Sequence, residues 1–337
     1  MGALSSLTPT PAWFRMDDAS AVGTVRRYTV ELARAVGLGE QRIADIAIVV
    51  AELATNLIKH ADEGSLLVRP VRQAENVGVE IVSIDSAPGM VDLSAMYEDG
   101  HSTTGTLGIG LGAVARLADR CEGFSLPGRG SVLAARLWQA AEPPPAWADG
   151  LTRPLTGETV SGDCFAVRDH TTHRQVMVCD GLGHGPAAAA AAQAAFNIFH
   201  TAPDEAPATL VERLHRGLSH TRGAAVTIAE IDPAAGVVRA CGVGNVATAV
   251  VTGGERRGMV SMPGIVGHGK ASFRQFVQPF TAQSLLVMHS DGVSDKWSLT
   301  GYPGLDTRSP LLIAATVLRD AGVRRDDACV LVARATP

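Results

Sequence analysis

Val176–Pro186 reads Val-Met-Val-Cys-Asp-Gly-Leu-Gly-His-Gly-Pro. The apolar run predicts a strand over Gln175–Cys179, with Asp180 at its end. Gly181, Gly183 and Gly185 then supply the backbone freedom of a tight turn. Pro186 suits the first turn of a helix, and a helical pattern follows to His200. Outward from this stretch the second half of the chain is rich in strands. They are expected at Thr159–Val167, Ala225–Ile231, Val237–Gly242, Val246–Val251, Ser284–His289 and Ala328–Ala333, with a second helix at Ala208–Leu218. Many strands with few helices predict a layered β-sandwich with its helices outside.

Asp180 has counterparts. Asp163 ends Ser161-Gly-Asp163, Asp291 sits in Ser290-Asp-Gly292, and Asp326-Asp327 precede the final strand. Any one aspartate beside a glycine reads equally well as a turn residue. A set of them on the edges of strands sharing one sheet would repel itself, and cations are the natural neutraliser. Oxygen-only ligands favour manganese or magnesium over zinc. Two such ions can activate a water and clamp a phosphoryl group, so no protein nucleophile is required.

The motifs Ser161-Gly-Asp163, Asp180-Gly-Leu-Gly-His-Gly185, Ser290-Asp291-Gly292 and Asp326-Asp327, in this order across Leu155–Ala335, resemble the PPM-type Ser/Thr phosphatases of the SpoIIE and RsbX branch. The resemblance implies an α-β-β-α sandwich in which Asp180 bridges two metals and the Gly181 carbonyl supports one. Asp163, Asp291 and Asp326 would complete the second, with Asp327 as the alternative to Asp326. His184 has two readings, general acid toward the leaving serine oxygen or a loop residue holding the glycine turn. Many relatives carry a further carboxylate just after the first Gly-Asp; here the residues are Asp163-Cys-Phe-Ala.

Upstream, Gln139–Gly150 reads QAAEPPPAWADG, and three consecutive prolines favour an extended spacer. The expected organisation is a first domain at 1–139, a Pro-rich linker at 140–150 and a second domain at 151–337. The first domain mixes helices (Thr24–Ala35, Arg42–His60, Leu111–Asp119) with strands (Ser65–Val71, Val77–Ile84, Ser131–Leu137), which predicts an α/β sandwich. The Arg42–His60 helix presents Ile43, Ile46, Ala47, Val50, Leu53, Ala54 and Leu57 as its apolar stripe. Glu52, Asn56 and Lys59 share another face, which suits either a metal–phosphate group or plain solvent.

Asp85-Ser-Ala-Pro-Gly89 follows a strand, where an aspartate can accept a hydrogen bond from an exocyclic amine and Gly89 lets backbone approach a base. Gly105-Thr-Leu-Gly108-Ile-Gly110-Leu-Gly112 opens a helix, and bare N–H groups there favour phosphate. Across Arg26–Leu137 these elements resemble the GHKL ATP-binding family, and more closely its serine kinases and anti-sigma factors of the RsbT and RsbW type. The resemblance implies ATP with magnesium, Asn56 on the metal, Asp85 on adenine, Gly89, Gly108, Gly110 and Gly112 around the nucleotide, and Glu52 as general base toward a serine hydroxyl. Position 87 is alanine where that family keeps glycine.

With 46% hydrophobic and 19% charged residues, the composition suits a globular protein. A formal net charge of -5 and 4% aromatics speak against a nucleic-acid partner. The five scattered cysteines suit buried positions in a reducing compartment. No signal peptide and no membrane-length apolar run stand out, so a cytoplasmic location is expected.

The combined reading is α/β (α+β): a kinase-like domain and a phosphatase domain acting on a STAS-type (anti-anti-sigma-like) phosphoprotein. Two alternatives stand for the first domain: it binds ATP and partner only as a sensor or docking module, or it holds a sigma factor directly. A homodimer is an expectation of the resemblance.

Overall fold

Residues 11–86, 88–89 and 110–336 are described by a computed structural model, in two units, Met1–Pro144 and Pro145–Pro337. In the first unit, α1 (Ala19–Ala35) begins earlier than the Thr24 start expected, because Asp18 caps it by accepting from Ser20 N at 2.7 Å. α2 (Glu40–His60) buries the whole expected stripe from Ile43 to Leu57. That stripe packs on Leu66, Val68, Val79, Ile81, Leu133 and Leu137 of a five-stranded antiparallel sheet.

The sheet is built from β1 (Ala12–Arg15), β2 (Gly64–Gln73), β3 (Asn76–Asp85), β4 (Arg120–Leu126) and β5 (Gly130–Trp138), in the order β1-β2-β3-β5-β4. α3 (Gly110–Leu117) packs against α2. β1 and β4 were not anticipated. Four residues are too few for an alternating pattern, and Arg-Cys-Glu-Gly-Phe-Ser-Leu lacks a clean one.

The stretch read as a linker at 140–150 is mostly committed to the two units. Asn76 Nδ2 donates to Ala141 O at 2.9 Å, and Arg120 pairs with Glu142, both within the first unit. Trp147 is buried in the second core, and β6 (Ala148–Arg153) pairs with the last strand of that unit.

The second unit stacks two five-stranded antiparallel sheets. One has the order β13-β10-β9-β8-β7, from β7 (Asp163–Asp169), β8 (Arg174–Gly181), β9 (Ala224–Asp232), β10 (Val237–Val243) and β13 (Gln275–Pro279). The other has the order β12-β11-β14-β15-β6, from β6, β11 (Ala247–Thr252), β12 (Glu255–Gly258), β14 (Leu285–His289) and β15 (Ala328–Arg334). Val176 and Val178 of β8 point into the core between the sheets, where Leu286, Met288 and Leu331 meet them. Met177 and Cys179 point the other way, onto α4 (Pro186–Thr201) and α5 (Pro207–Gly217), against Ala195, Phe199 and Leu210. The unbroken apolar run thus belongs to a strand covered on both faces.

α6 (Pro310–Ala321) lies on β15 and β6 and completes the α-β-β-α order. It was missed in the sequence because Pro310–Leu318 are all buried, which leaves no polar stripe to reveal a helical period. β7 begins at Asp163 rather than Thr159, since Leu155 N and Gly162 N are both drawn to the Asp327 carboxylate. All five cysteines are unbridged; Cys179, Cys241 and Cys329 are buried and Cys121 and Cys164 half-buried.

Candidate functional site

In the second unit, β7 and β8 pair so that Asp163 stands opposite Asp180, with both side chains on one face. Asp163 lies deeper, 5% exposed, and its Oδ2 accepts from Ser290 Oγ at 2.6 Å. Ser290 Oγ in turn accepts from Cys329 N at 2.9 Å, which ties the first sheet to the second. Burial, and then the Asp180 carboxylate, hold the Asp163 pKa well above the usual range.

Asp180 is the centre of the cluster. Burial first, then the Asp291 carboxylate within hydrogen-bond reach, then Asp326 and Asp327, push its pKa up to about 7. Asp291 is exposed and oriented by Asn245 Nδ2, which donates to its Oδ2 at 2.5 Å. Asp326 is half-buried, and its pKa is raised by burial and then by Asp291. The structure thus brings Asp180, Asp291 and Asp326 together with Asp163 behind them.

Asp327 has a different task. It is 3% exposed, its Oδ1 accepts from Leu155 N at 2.7 Å and its Oδ2 from Gly162 N at 2.8 Å. Both oxygens are spent on the loop that leads into β7. The glycines of the motifs serve the same crowding. A Cβ on Gly162 would lie 2.7 Å from Ala188 Cβ, one on Gly181 2.4 Å from Ala188 O, and one on Gly292 1.8 Å from Asp327 O. Of the expected alternatives, Asp326 faces the cluster and Asp327 holds the scaffold.

His184 stands at the rim, its side chain 59% exposed and its Nδ1 3.1 Å from Glu158 Oε1. It lies close enough to Asp326 to oppose, weakly, the upward pull of burial and Asp291 on that carboxyl's pKa. Arg222 borders the same loop: its Nη1 is 3.1 Å from where a Gly183 side chain would begin, and Leu182 N donates to Gly223 O at 3.1 Å. Asn245, Glu158 and Arg222 were not singled out in the sequence. Asn245 follows Gly244 and looks like any Gly-Asn turn, so only the 2.5 Å contact reveals it.

In the first unit, Glu52 and Asn56 are half-buried on α2 and Lys59 is exposed. The Glu52 carboxylate lies against the start of α3, where a Cβ on Gly110 would come 3.1 Å from its Oε2. Gly112 is buried within α3. Asp85 is 7% exposed, and its Oδ1 accepts from Ser131 N at 3.1 Å. The bareness of Gly89 (φ 74°) is first used by the protein's own backbone: a Cβ there would lie 2.3 Å from Leu126 O, in the turn between β4 and β5. Gly128 N donates to Pro88 O at 2.5 Å across the same junction. Gly108, Ala87 and the segment 90–109 lie outside the described residues.

Comparison with known proteins follows this division. Residues 15–137 match the histidine kinase-like ATPase domain family, and residues 171–336 match stage II sporulation protein E (SpoIIE). Serine/threonine-protein kinase RsbT of Bacillus subtilis (strain 168) is 31% identical over 131 residues, covering 36% of this chain and 98% of RsbT. A solved chain described as "The bacterial stressosome: a modular system that has been adapted to control secondary messenger signaling" is 27% identical, with a TM-score of 0.50, covering 56% of this chain and 98% of that one. RsbX solved with magnesium is 19% identical, with a TM-score of 0.47, covering 56% of this chain and 94% of that one. The chain belongs to the histidine kinase-like ATPase family through an RsbT-like kinase domain at 15–137, and it joins to that domain a SpoIIE-type protein phosphatase domain at 171–336.

Proposed function

We propose that the second unit removes phosphate from a phosphoserine or phosphothreonine of a STAS-type partner, and that the first unit transfers phosphate from ATP to the same or a related partner. The observation that carries the phosphatase reading is the gathering of Asp180, Asp291 and Asp326, with Asp180 pushed up to about 7. Such a site has an excess of negative charge and offers only oxygen donors, which fits two manganese or magnesium ions. Asp180 would lie between them, the Gly181 carbonyl would support one, and Asp291 and Asp326 would hold the other, with Asp163 behind. When bound, the ions supply Lewis-acid stabilisation of the phosphoryl group and lower the pKa of the attacking water.

The chain's own groups do the remaining work. Asn245 fixes the Asp291 carboxylate, and Asp327 anchors the loop ahead of β7. Glu158 orients His184, which delivers a proton to the departing serine or threonine oxygen. Arg222, beside Gly183, suits the phosphoryl oxygens of an arriving phosphoprotein.

The kinase reading rests on Glu52 at the opening of α3, where a carboxylate can accept a hydroxyl proton as phosphate transfers. The name of its relative RsbT, a serine/threonine-protein kinase, supports it, and so does similarity to a stressosome chain for a STAS-type partner. Opposed activities in one chain would set a phosphorylation level.

Two assays test these readings. Hydrolysis of p-nitrophenyl phosphate is expected with manganese, expected to vanish with chelator and to fall roughly a thousandfold in Asp180→Asn; turnover undiminished in both would refute the phosphatase site. Glu52→Ala is expected to abolish ATP-dependent labelling of a STAS partner. Undiminished labelling would refute the base. Partner or sigma-factor binding with no labelling by the wild type would make the unit a docking module or an anti-sigma factor.

A further inference from the structure

The β7–β8 hairpin has a second polar end, at the turn opposite Asp163 and Asp180. There His170 N donates to His173 O at 3.0 Å. The two imidazoles are 15% and 16% exposed and lie with ring centroids 4.5 Å apart. His173 Nε2 is 2.9 Å from Asp204 Oδ1, in the connection between α4 and α5, and 3.8 Å from Glu230 Oε2 on β9. His170 Nδ1 is 3.5 Å from Asp204 Oδ2. Ligand atoms of His170, His173 and Asp204 all lie within 4.8 Å of one another.

Gln175, fully buried, decides which nitrogen of His170 is available. Its Nε2 donates to Glu205 O at 2.8 Å and to Glu230 Oε2 at 3.2 Å. Its Oε1 is therefore the atom that meets His170 Nε2 at 3.3 Å, and that ring nitrogen carries the hydrogen. His170 Nδ1 then faces the Asp204 carboxylate, and a cation between the two would be held by both. Glu230 is set in place as well: Arg239 donates to its Oε1 at 3.1 Å, leaving Oε2 toward His173. Thr172 Oγ1, 3.2 Å from His173 Nδ1, fixes the other ring.

We propose that this cluster binds one zinc ion, with His170 Nδ1, His173 Nε2 and one Asp204 oxygen as its ligands and Glu230 beside His173. A tetrahedron with bonds of about 2.0 Å has edges of about 3.3 Å. The histidine–Asp204 separations, 2.9 Å to Oδ1 and 3.5 Å to Oδ2, lie on either side of that value. Two imidazole nitrogens select zinc over magnesium, and three protein ligands leave the fourth position of the tetrahedron to water. The Gln175 and Thr172 contacts are the outer-sphere bonds that orient ligating histidines. The ring planes, now 17° apart, turn toward a common point on binding, a χ2 rotation with a broad, shallow profile for histidine. The ion ties the hairpin turn to the α4–α5 connection, at the end of this layer away from the carboxylates.

The test uses the full chain in the Asp180→Asn background, which weakens the carboxylate cluster as a competing zinc site. Zinc binding is measured by calorimetry, geometry by the visible absorption of the cobalt(II) form, and melting temperature with and without zinc. Expected are one zinc per chain, the intense absorption of four-coordinate cobalt, and a raised melting temperature. Adding His173→Gln should weaken binding roughly tenfold or more and abolish the melting shift. If that variant does not fold, Asp204→Asn, in an exposed connection, carries the same expectation. Equal zinc binding with and without these substitutions, or no zinc binding at all, overturns the proposal.

Discussion

The two ends of the β7–β8 layer differ in what surrounds their acidic groups. At one end Asp180, Asp291 and Asp326 crowd one another, with His184 at the rim. At the other, Asp204 and Glu230 face two imidazoles, with Arg239 and Gln175 sharing the load. The first end offers oxygen donors alone, and the second mixes imidazole nitrogens with carboxylates. The first donor set suits manganese or magnesium, and the second suits zinc. The same contrast recurs between neighbours: Asp326 joins the crowd, while Asp327, one residue on, spends both oxygens on backbone amides.

The largest effect expected from breaking this contrast is catalytic. Asp180→Asn should lower manganese-dependent turnover roughly a thousandfold, since ion-mediated charge stabilisation is worth several kcal/mol.

Next comes the cost of the crowding itself, seen in chelator-treated protein. The Asp180 pKa rises on folding from 3.8 to about 7, so folding favours its protonated form. Its contribution to stability is full below about pH 4 and is lost as pH rises through about 7, by up to about 4 kcal/mol. Melting curves should therefore show the metal-free wild type losing stability over that range and Asp180→Asn losing less. Identical pH profiles would mean the carboxylates are not coupled as described.

The smallest effect separates the two neighbours. Asp327→Ala strands Leu155 N and Gly162 N and should cost roughly 2–4 kcal/mol in urea unfolding. Asp326→Ala should leave stability within about 0.5 kcal/mol or raise it, while abolishing turnover. The reverse pattern would exchange their roles.

Much of this was legible in the chain. The Ile43–Leu57 stripe, the β8 run and the aspartates beside glycines carry their environment in their spacing. Other features were hidden for identifiable reasons. α6 is apolar all round, β1 is four residues long, and Asn245 and Glu158 act only through contacts between distant segments. Gly89 was expected to let backbone approach a base; in the structure its bareness accommodates Leu126 O.

By itself the sequence determined the two-part organisation, the layered sheets and the identity of the acidic positions, because period, turn chemistry and motif order are local properties of a chain. Only the tertiary structure decided which carboxylates gather and which support the loop. That choice depends on which amides, hydroxyls and charges arrive from strands far apart in the chain. Asp163 received Ser290 Oγ, Asp327 received two backbone N–H groups, and Asp180 received other carboxylates.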